Sequence, residues 1–471
     1  MPVTMKNITH IFSVDDNQYA LDYQNIFFCL LDDDTRVALE CVLSDAIHES
    51  SSELVQTIKS LMKSGYFMSK YPDITVPNFE YDTLNISFAP VHDCNFACKY
   101  CYAKGGKGTQ YYQMKYDENN IKKMLSCIYK GKYASYENYK FDFVSGGEPL
   151  LEFDILEYFL KTLRSYDSEL DKKTTVLIVT NGALLTSEII QKLDKYDVFL
   201  GISIDGPEDV HNRHRVYKNG SNTYKDVVNG ISLLRSSKNI SSKLKDAWAM
   251  SVITRSTGSL VDLMETCIGL GFKRMQMQLL REAYEHPLAF RKSDLSTLKN
   301  YYRELINHIL SHAEQGDLCR IKMIANGNDS FGKFIGRLLL RTPVFYRCFA
   351  GKNKIAVTAS GEIYPCDSFC GTSEYSMGFI DAQKENTDVT ELFLNAHVNN
   401  RERCSKCWAR NICGGDCFYD SYLVNGNIHD PNPIKCEMNR FFIENAVDLL
   451  IRLQKINHEY INHLAKVLHL Q

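Results

Sequence analysis

The sequence contains no apolar run of the roughly 20 residues that a membrane-spanning helix needs, so no membrane span is expected. Met1 to Asp15 has no cationic stretch leading into an apolar core. It does not read as a secretory signal, and the cytoplasm is the expected location. An excess of charge of either sign is missing too. Lys and Arg number 54 against 57 Asp and Glu, a net charge of −3, so no basic field is present to recruit nucleic acid. There is no internal repeat and no low-complexity tract. The remainder is ordinary globular composition, 44% hydrophobic and 24% charged over 471 residues, with room for roughly two to four domains.

Cysteine is the residue in excess, with 16 copies. A reduced cytosolic setting argues against disulfides, and the grouping of the cysteines argues for metal or iron–sulfur ligation. Three stand at Cys94, Cys98 and Cys101. Seven more stand at Cys348, Cys366, Cys404, Cys407, Cys413, Cys417 and Cys436. The others, Cys29, Cys41, Cys127, Cys267, Cys319 and Cys370, read mostly as small buried hydrophobes.

Hydrophobic periodicity divides the chain. Residues 8–31 read as extended, with strands at 10–14 and 18–23 about an Asp-Asp-Asn turn, and residues 36–65 as two helical pieces broken near 50–52. A proline-bearing stretch at 71–79 reads as a linker. Strands are then expected at 84–88, 141–144, 176–180, 199–204, 249–254 and 274–279. Helices alternate with them near 117–130, 152–165, 186–194, 223–236 and 258–270, and another follows near 293–315. Such alternation predicts parallel strands with crossover helices, an α/β fold. Six units suit a partial (β/α)6 TIM barrel; an open doubly wound sheet is the alternative. Regular structure thins between 348 and 436, where metal staples would have to replace core. A helix is expected over 441–470.

Cys94-x3-Cys98-x2-Cys101 follows the first barrel strand, with the aromatic Tyr100 before the third cysteine. Three thiolates hold a four-iron cubane and leave one iron open for a small chelator. Zinc would want a fourth ligand, for which His92 is near. The spacing resembles that of radical S-adenosylmethionine enzymes. Ser145-Gly146-Gly147-Glu148-Pro149 resembles their GGEP segment, which meets the cofactor's amino group. Thr180 and Asn181 end the third strand; Ser203 and Asp205 end the fourth and by resemblance lie near the ribose. Arg215 resembles the arginine that meets the cofactor's carboxylate. All these segments fall at carboxyl ends of successive strands, where barrels build their sites. The likeness covers residues 84 to about 280.

The later cysteines are similar to a SPASM domain, which implies two auxiliary 4Fe-4S clusters and three in all. By that likeness Cys404, Cys407, Cys413 and Cys436 hold the outer cluster, and Cys348, Cys366 and Cys417 the inner one. No cysteine occurs at 341–347, where eight-cysteine relatives carry one, so either Cys370 completes the inner set or an iron stays open. Asp367 resembles an aspartate that serves as base in sulfatase-maturing relatives. The N-terminal strands and helices resemble the winged-helix-like element that takes a leader peptide as an added strand.

The expected domains are a peptide-recognition element at 1–75, a linker at 76–83, the radical barrel at 84–285, a helical bridge at 286–345, the SPASM domain at 346–440 and a terminal helix at 441–471. The family likeness implies a sactipeptide- or ranthipeptide-type maturase. Such an enzyme uses a 5′-deoxyadenosyl radical to join a cysteine sulfur to a peptide carbon. Its partners would be a precursor peptide and a flavodoxin- or ferredoxin-type electron donor. The rivals are a carbon–carbon or carbon–oxygen crosslinking maturase, a formylglycine-generating sulfatase maturase, and a non-catalytic zinc-binding peptide scaffold.

Overall fold

The computed structural model describes residues 9–43, 53–67, 76–77, 79–89, 91–103, 115–144, 146–382 and 386–469. Three strands open the chain, β1 (Thr9–Val14), β2 (Asn17–Asp22) and β3 (Phe27–Leu30), in an antiparallel meander ordered β1-β2-β3. Helices Asp33–Leu43 and Glu53–Lys63 follow. They close a small core of their own from Ala20, Leu31, Leu39, Val55, Ile58 and Phe67. The expected break at 50–52 and most of the expected linker at 71–79 lie outside the described residues. This unit leans on the C-terminal helix Pro433–Ile456: the Tyr19 hydroxyl donates to Asp448 at 2.5 Å, and His10 meets Glu444 at 2.8 Å while stacking on Trp408 at 3.8 Å.

The six expected barrel strands are present as β4 (Thr83–Phe88), β5 (Asn138–Phe143), β6 (Lys173–Thr180), β7 (Val198–Ser203), β8 (Trp248–Ile253) and β9 (Met275–Leu279). All neighbours pair in parallel, in sequence order, with a helix between most successive strands. The sheet does not close. Beside β4 it gains β10 (Lys354–Val357), parallel to it, and then β11 (Ile363–Tyr364), antiparallel to β10. The cysteine-rich segment, in which regular structure was expected to thin out, thus supplies two strands to the main sheet. The predicted tail helix starts earlier and is two helices, Pro433–Ile456 and Glu459–His469.

Each strand's alternation decides what faces inward. Tyr139, Phe141 and Phe143 of β5 pack outward against the helix Phe153–Leu170, where Phe88, Phe141, Phe143 and Phe159 interlock at ring spacings of 4.9–6.2 Å. The alternate β5 residues, Lys140 and Asp142, are only half buried. An ordinary closed barrel fills its interior with branched apolar side chains. Here Lys140, Thr175 and Gln276 line open space instead, so the inside is a cavity rather than a core.

Candidate active site

The cysteine loop leaves the end of β4 and is pinned along its length. Ala97 donates to the Val216 carbonyl at 2.7 Å and Lys99 to that of His214 at 3.0 Å, while Phe96 bridges Tyr217. The loop turns back on itself where the Cys101 N–H meets the Cys98 carbonyl at 3.1 Å. This brings Cys94, Cys98 and Cys101 close enough that each feels the others' charge. Burial pushes the Cys94 thiol up to about 11 and the Cys98 thiol to about 12, against some relief from the nearby Arg215 guanidinium at Cys98. Two desolvated thiols and a third, Cys101, on one short pinned loop are a donor set that a cation would turn into thiolates, as the iron of a cluster would. Nearby His92 finds no hydrogen-bond partner for either ring nitrogen.

The glycine segment runs directly against this loop. Gly147 donates to the Val91 carbonyl at 2.7 Å and Glu148 to that of Asp93 at 2.8 Å. A Cβ on Gly147 would stand 1.7 Å from the Asp93 oxygen, so only glycine passes here. Gly146 takes φ +86° under the same loop. Pro149 then starts a short helical turn, Pro149–Glu152. Glu148 points inward, 2% exposed, and its carboxylate accepts from the Thr180 hydroxyl at 2.5 Å, the Asn181 N–H at 2.7 Å and the Leu150 N–H at 3.2 Å. Its side chain is therefore a clamp between the ends of β5 and β6. The Asn181 amide in turn donates to Asn95 at 2.7 Å, inside the cysteine loop.

Ser203 ends β7, half-buried. Beyond it Asp205 and Arg215 form a buried ion pair, Nε to Oδ2 at 2.9 Å and Nη2 to Oδ1 at 3.3 Å. The Tyr100 hydroxyl and the Val252 N–H also donate to Asp205. Burial alone would raise the Asp205 carboxyl, but Arg215, His211 and these donors hold it below its usual range. The expected cofactor residues are thus together, but Arg215 faces Asp205 and Tyr100, with the ring centroid 5.4 Å from its guanidinium. Two residues that sequence reading missed hold the pair in place. His211 Nδ1 accepts from the Asp205 N–H at 3.4 Å, its Nε2 meets the Thr223 hydroxyl at 3.1 Å, and that hydroxyl reaches the Arg215 carbonyl at 2.6 Å. His211 lies on the short helix Glu208–His214, where no local sequence signal marks it for this role.

The later cysteines gather into two groups. Cys404, Cys407, Cys413 and Cys436 line one cavity of about 250 Å³. Cys348, Cys366 and Cys417 line a cleft of about 320 Å³ with Asp367. Cys370 does not line this cleft, although it stands close by: its thiol is 3.9 Å from the Cys366 carbonyl and feels Asp367 and Cys366, and it also bears on Tyr116. In the cleft Arg281, Lys333, Arg337, Arg347, Lys354 and Lys435 outnumber Asp367, Asp416 and Asp420. With neutral thiols the cleft holds surplus positive charge, and burial lowers the Lys333 and Lys435 ammonium groups. Thiolates bound to iron would supply the missing negative charge, so these residues fit a cluster. Tyr102, next to Cys101, donates to Asp367 at 3.2 Å and ties the two cysteine regions together. Tyr102 was not a sequence candidate.

Residues 89–244 match the family model of the Radical SAM superfamily. The chain carries a radical SAM domain over these residues. It is 23% identical over 388 residues to a cysteine-type anaerobic sulfatase-maturating enzyme of Clostridium novyi (strain NT), covering 77% of this chain and 95% of the relative. It is 23% identical over 378 residues to the radical SAM cyclopropyl synthase TigE of Paramaledivibacter caminithermalis, covering 75% of this chain and 72% of that protein. The solved structure described as native anSMEcpe with bound AdoMet and Cp18Cys peptide shares the fold, with a TM-score of 0.62 at 19% identity, over 80% of this chain and all of that one. A radical SAM enzyme uses a 4Fe-4S cluster and S-adenosylmethionine, which together supply a reductively generated 5′-deoxyadenosyl radical. In this chain Cys94, Cys98 and Cys101 are the residues that could hold that cluster, and the glycine loop, Glu148 and Asn181 fix the loop that carries them.

Gly147→Ala should leave the circular dichroism spectrum intact but displace the cysteine loop. We expect it to lower cofactor cleavage about 100-fold, as for a misplacement of about 1 Å; a variant with native rates would contradict the close passage. Burial raises the Glu148 carboxyl from its ordinary value of 4.5 to about 7, against opposing hydrogen bonds. The stability this shift contributes is fully present below about 4.5 and is lost as pH rises through about 7. Unfolding followed from pH 4 to 8 should show that slope in the native chain and a flatter one in Glu148→Gln; equal slopes would remove Glu148 as its source.

Proposed function

We propose that this radical SAM enzyme forms a thioether between a cysteine sulfur and a carbon of a ribosomally made precursor peptide. The observation that carries the reading is the inner cleft, where three cysteines and Asp367 face one space and Cys370 lies outside the trio. Three protein thiolates leave one ligand position of a cubane for a substrate thiolate. In this reading Cys348, Cys366 and Cys417 hold the inner auxiliary cluster, and Cys404, Cys407, Cys413 and Cys436 the outer one. Arg215 and Ser203 contact the S-adenosylmethionine.

Asp367 acts as the base that takes the proton of the substrate cysteine thiol as the thioether forms, and the auxiliary clusters would accept the surplus electron. Tyr102 orients Asp367 through their hydrogen bond. The N-terminal unit receives the leader peptide as a fourth strand on β3, which among the described residues pairs only with β2. A flavodoxin- or ferredoxin-type protein supplies the electron. Support for a peptide substrate also comes from the solved relative described with a bound peptide, whose fold this chain shares. Likeness to sulfatase-maturating enzymes keeps formylglycine formation as a second reading, favoured by the position of Asp367 beside Cys366.

The test is the intact mass of a cysteine-containing precursor peptide after anaerobic co-expression, with and without thiol alkylation. Loss of two hydrogens per crosslink, with loss of one alkylatable thiol each, is expected. Loss of hydrogens with every thiol still free would move the chemistry to carbon–carbon or carbon–oxygen bonds, and a formylglycine mass would favour the second reading. Asp367→Asn should lower crosslinking by about 10²–10⁴-fold while cofactor cleavage without peptide persists. Full crosslinking in that variant would remove Asp367 from the base role.

A further inference from the structure

Below the cleft lies a second and larger space. It measures about 800 Å³ and occupies the amino-terminal half of the open barrel, at the opposite end from the cysteine loop. Lys140 of β5, Leu177 of β6, Phe199 of β7 and Met250 of β8 form its walls, and Trp248 and Arg274 stand at its base. It joins the cleft of the cysteine trio through shared walls at Gln276, Asn328, Lys333 and Arg337. The two spaces therefore adjoin, with Asp367 in the lining of the upper one.

Its charge is one-sided. Lys140, Arg274, Lys333 and Arg337 line it, and no lining residue is an Asp or Glu. These cations are poorly neutralised. Lys140 reaches Asp142 only at 3.7 Å, and Arg274 lies over the Trp248 ring at 4.9 Å. Lys333 is 5% exposed, and Arg337 donates to the Ile412 and Cys413 carbonyls rather than to an acid. Lys140 and Arg274 are only part-buried, so their charged heads remain within reach of a further carboxylate. Lys333 and Arg337 also line the cleft of the cysteine trio; Lys140 and Arg274 line this cavity and neither of the cysteine-lined spaces. An exchangeable anion remains for them.

We propose that the lower barrel binds an acidic segment of the substrate peptide, adjoining the residue that reacts in the cleft. This rests on the peptide-substrate reading and adds to it a sequence preference. Carboxylates of the segment pair with Lys140 and Arg274, and its apolar side chains lie on Phe199, Trp248 and Met250. The size and half-apolar lining suit a short extended stretch of chain.

The experiment uses the full chain, reconstituted anaerobically with iron and sulfide. The probes are two fluorescein-labelled, C-terminally amidated peptides, Gly-Ser-Gly-Glu-Leu-Glu-Gly-Glu and its counterpart with Gln for each Glu. Neither has a thiol to reach iron. Fluorescence anisotropy should show the acidic peptide bound about tenfold more tightly, the difference that about 1.4 kcal/mol makes. Lys140→Glu with Arg274→Glu should abolish that preference. If this pair fails to fold by circular dichroism, Lys140→Gln with Arg274→Gln should still reduce it to about threefold. Equal binding of both peptides by the native chain would overturn the acidic preference while leaving a peptide substrate standing. An intact preference in a charge-altered variant would place the contact elsewhere and overturn the site. Binding of neither peptide would overturn this proposal, and the precursor mass measurement then decides separately whether peptides are substrates.

Discussion

The close passage of the glycine segment beneath the cysteine loop is the constraint on which the rest of the site depends. Two backbone hydrogen bonds, Gly147 to Val91 and Glu148 to Asp93, fix the loop's height above the barrel. The absence of a side chain at Gly147 makes that height possible. Glu148 then carries the same restraint to β6, and Asn181 returns it to the loop at Asn95. The three thiols thus share one orientation because three strand ends are locked to one another. A side chain in the wrong place at Gly147 would disturb all of them together.

Charge is the second organising term. Buried thiols resist ionising, while buried lysines and arginines resist keeping their protons, and the chain sets one against the other. Arg215 lies beside Cys98; Lys354 bears on Cys348 and Cys366; Arg281 bears on Cys417. Thiolates bound to iron would balance the positive charge in each region. The Tyr102–Asp367 hydrogen bond makes the two regions one site, since it joins a residue of the first cysteine loop to one 265 positions later.

Much of this was legible in the sequence because it is local. The six strands announce themselves by short apolar runs between amphipathic helices, and each observed strand lies within a few residues of its expected place. The cysteine spacings and the glycine pair are local as well. What sequence could not supply is long-range. β10 is a four-residue run in a cysteine-rich stretch, and its partner β4 lies about 270 residues earlier, so nothing nearby marks it as part of the main sheet. His211 and Thr223 look like surface polar residues until Asp205 and Arg215 are seen to need them. The structure adds a part for Glu148 that its motif did not spell out: its carboxylate accepts three hydrogen bonds within the protein.

The central claim is that Cys94, Cys98 and Cys101 together hold the cluster at which S-adenosylmethionine is cleaved. The direct measurement is 5′-deoxyadenosine formation under dithionite, alongside iron content, in the native chain and in the variant with all three changed to Ala. The account predicts that the variant loses about four irons per chain, one cubane's worth, and all detectable 5′-deoxyadenosine, while the iron bound by the later cysteines remains. Cleavage at the native rate in that variant would contradict it.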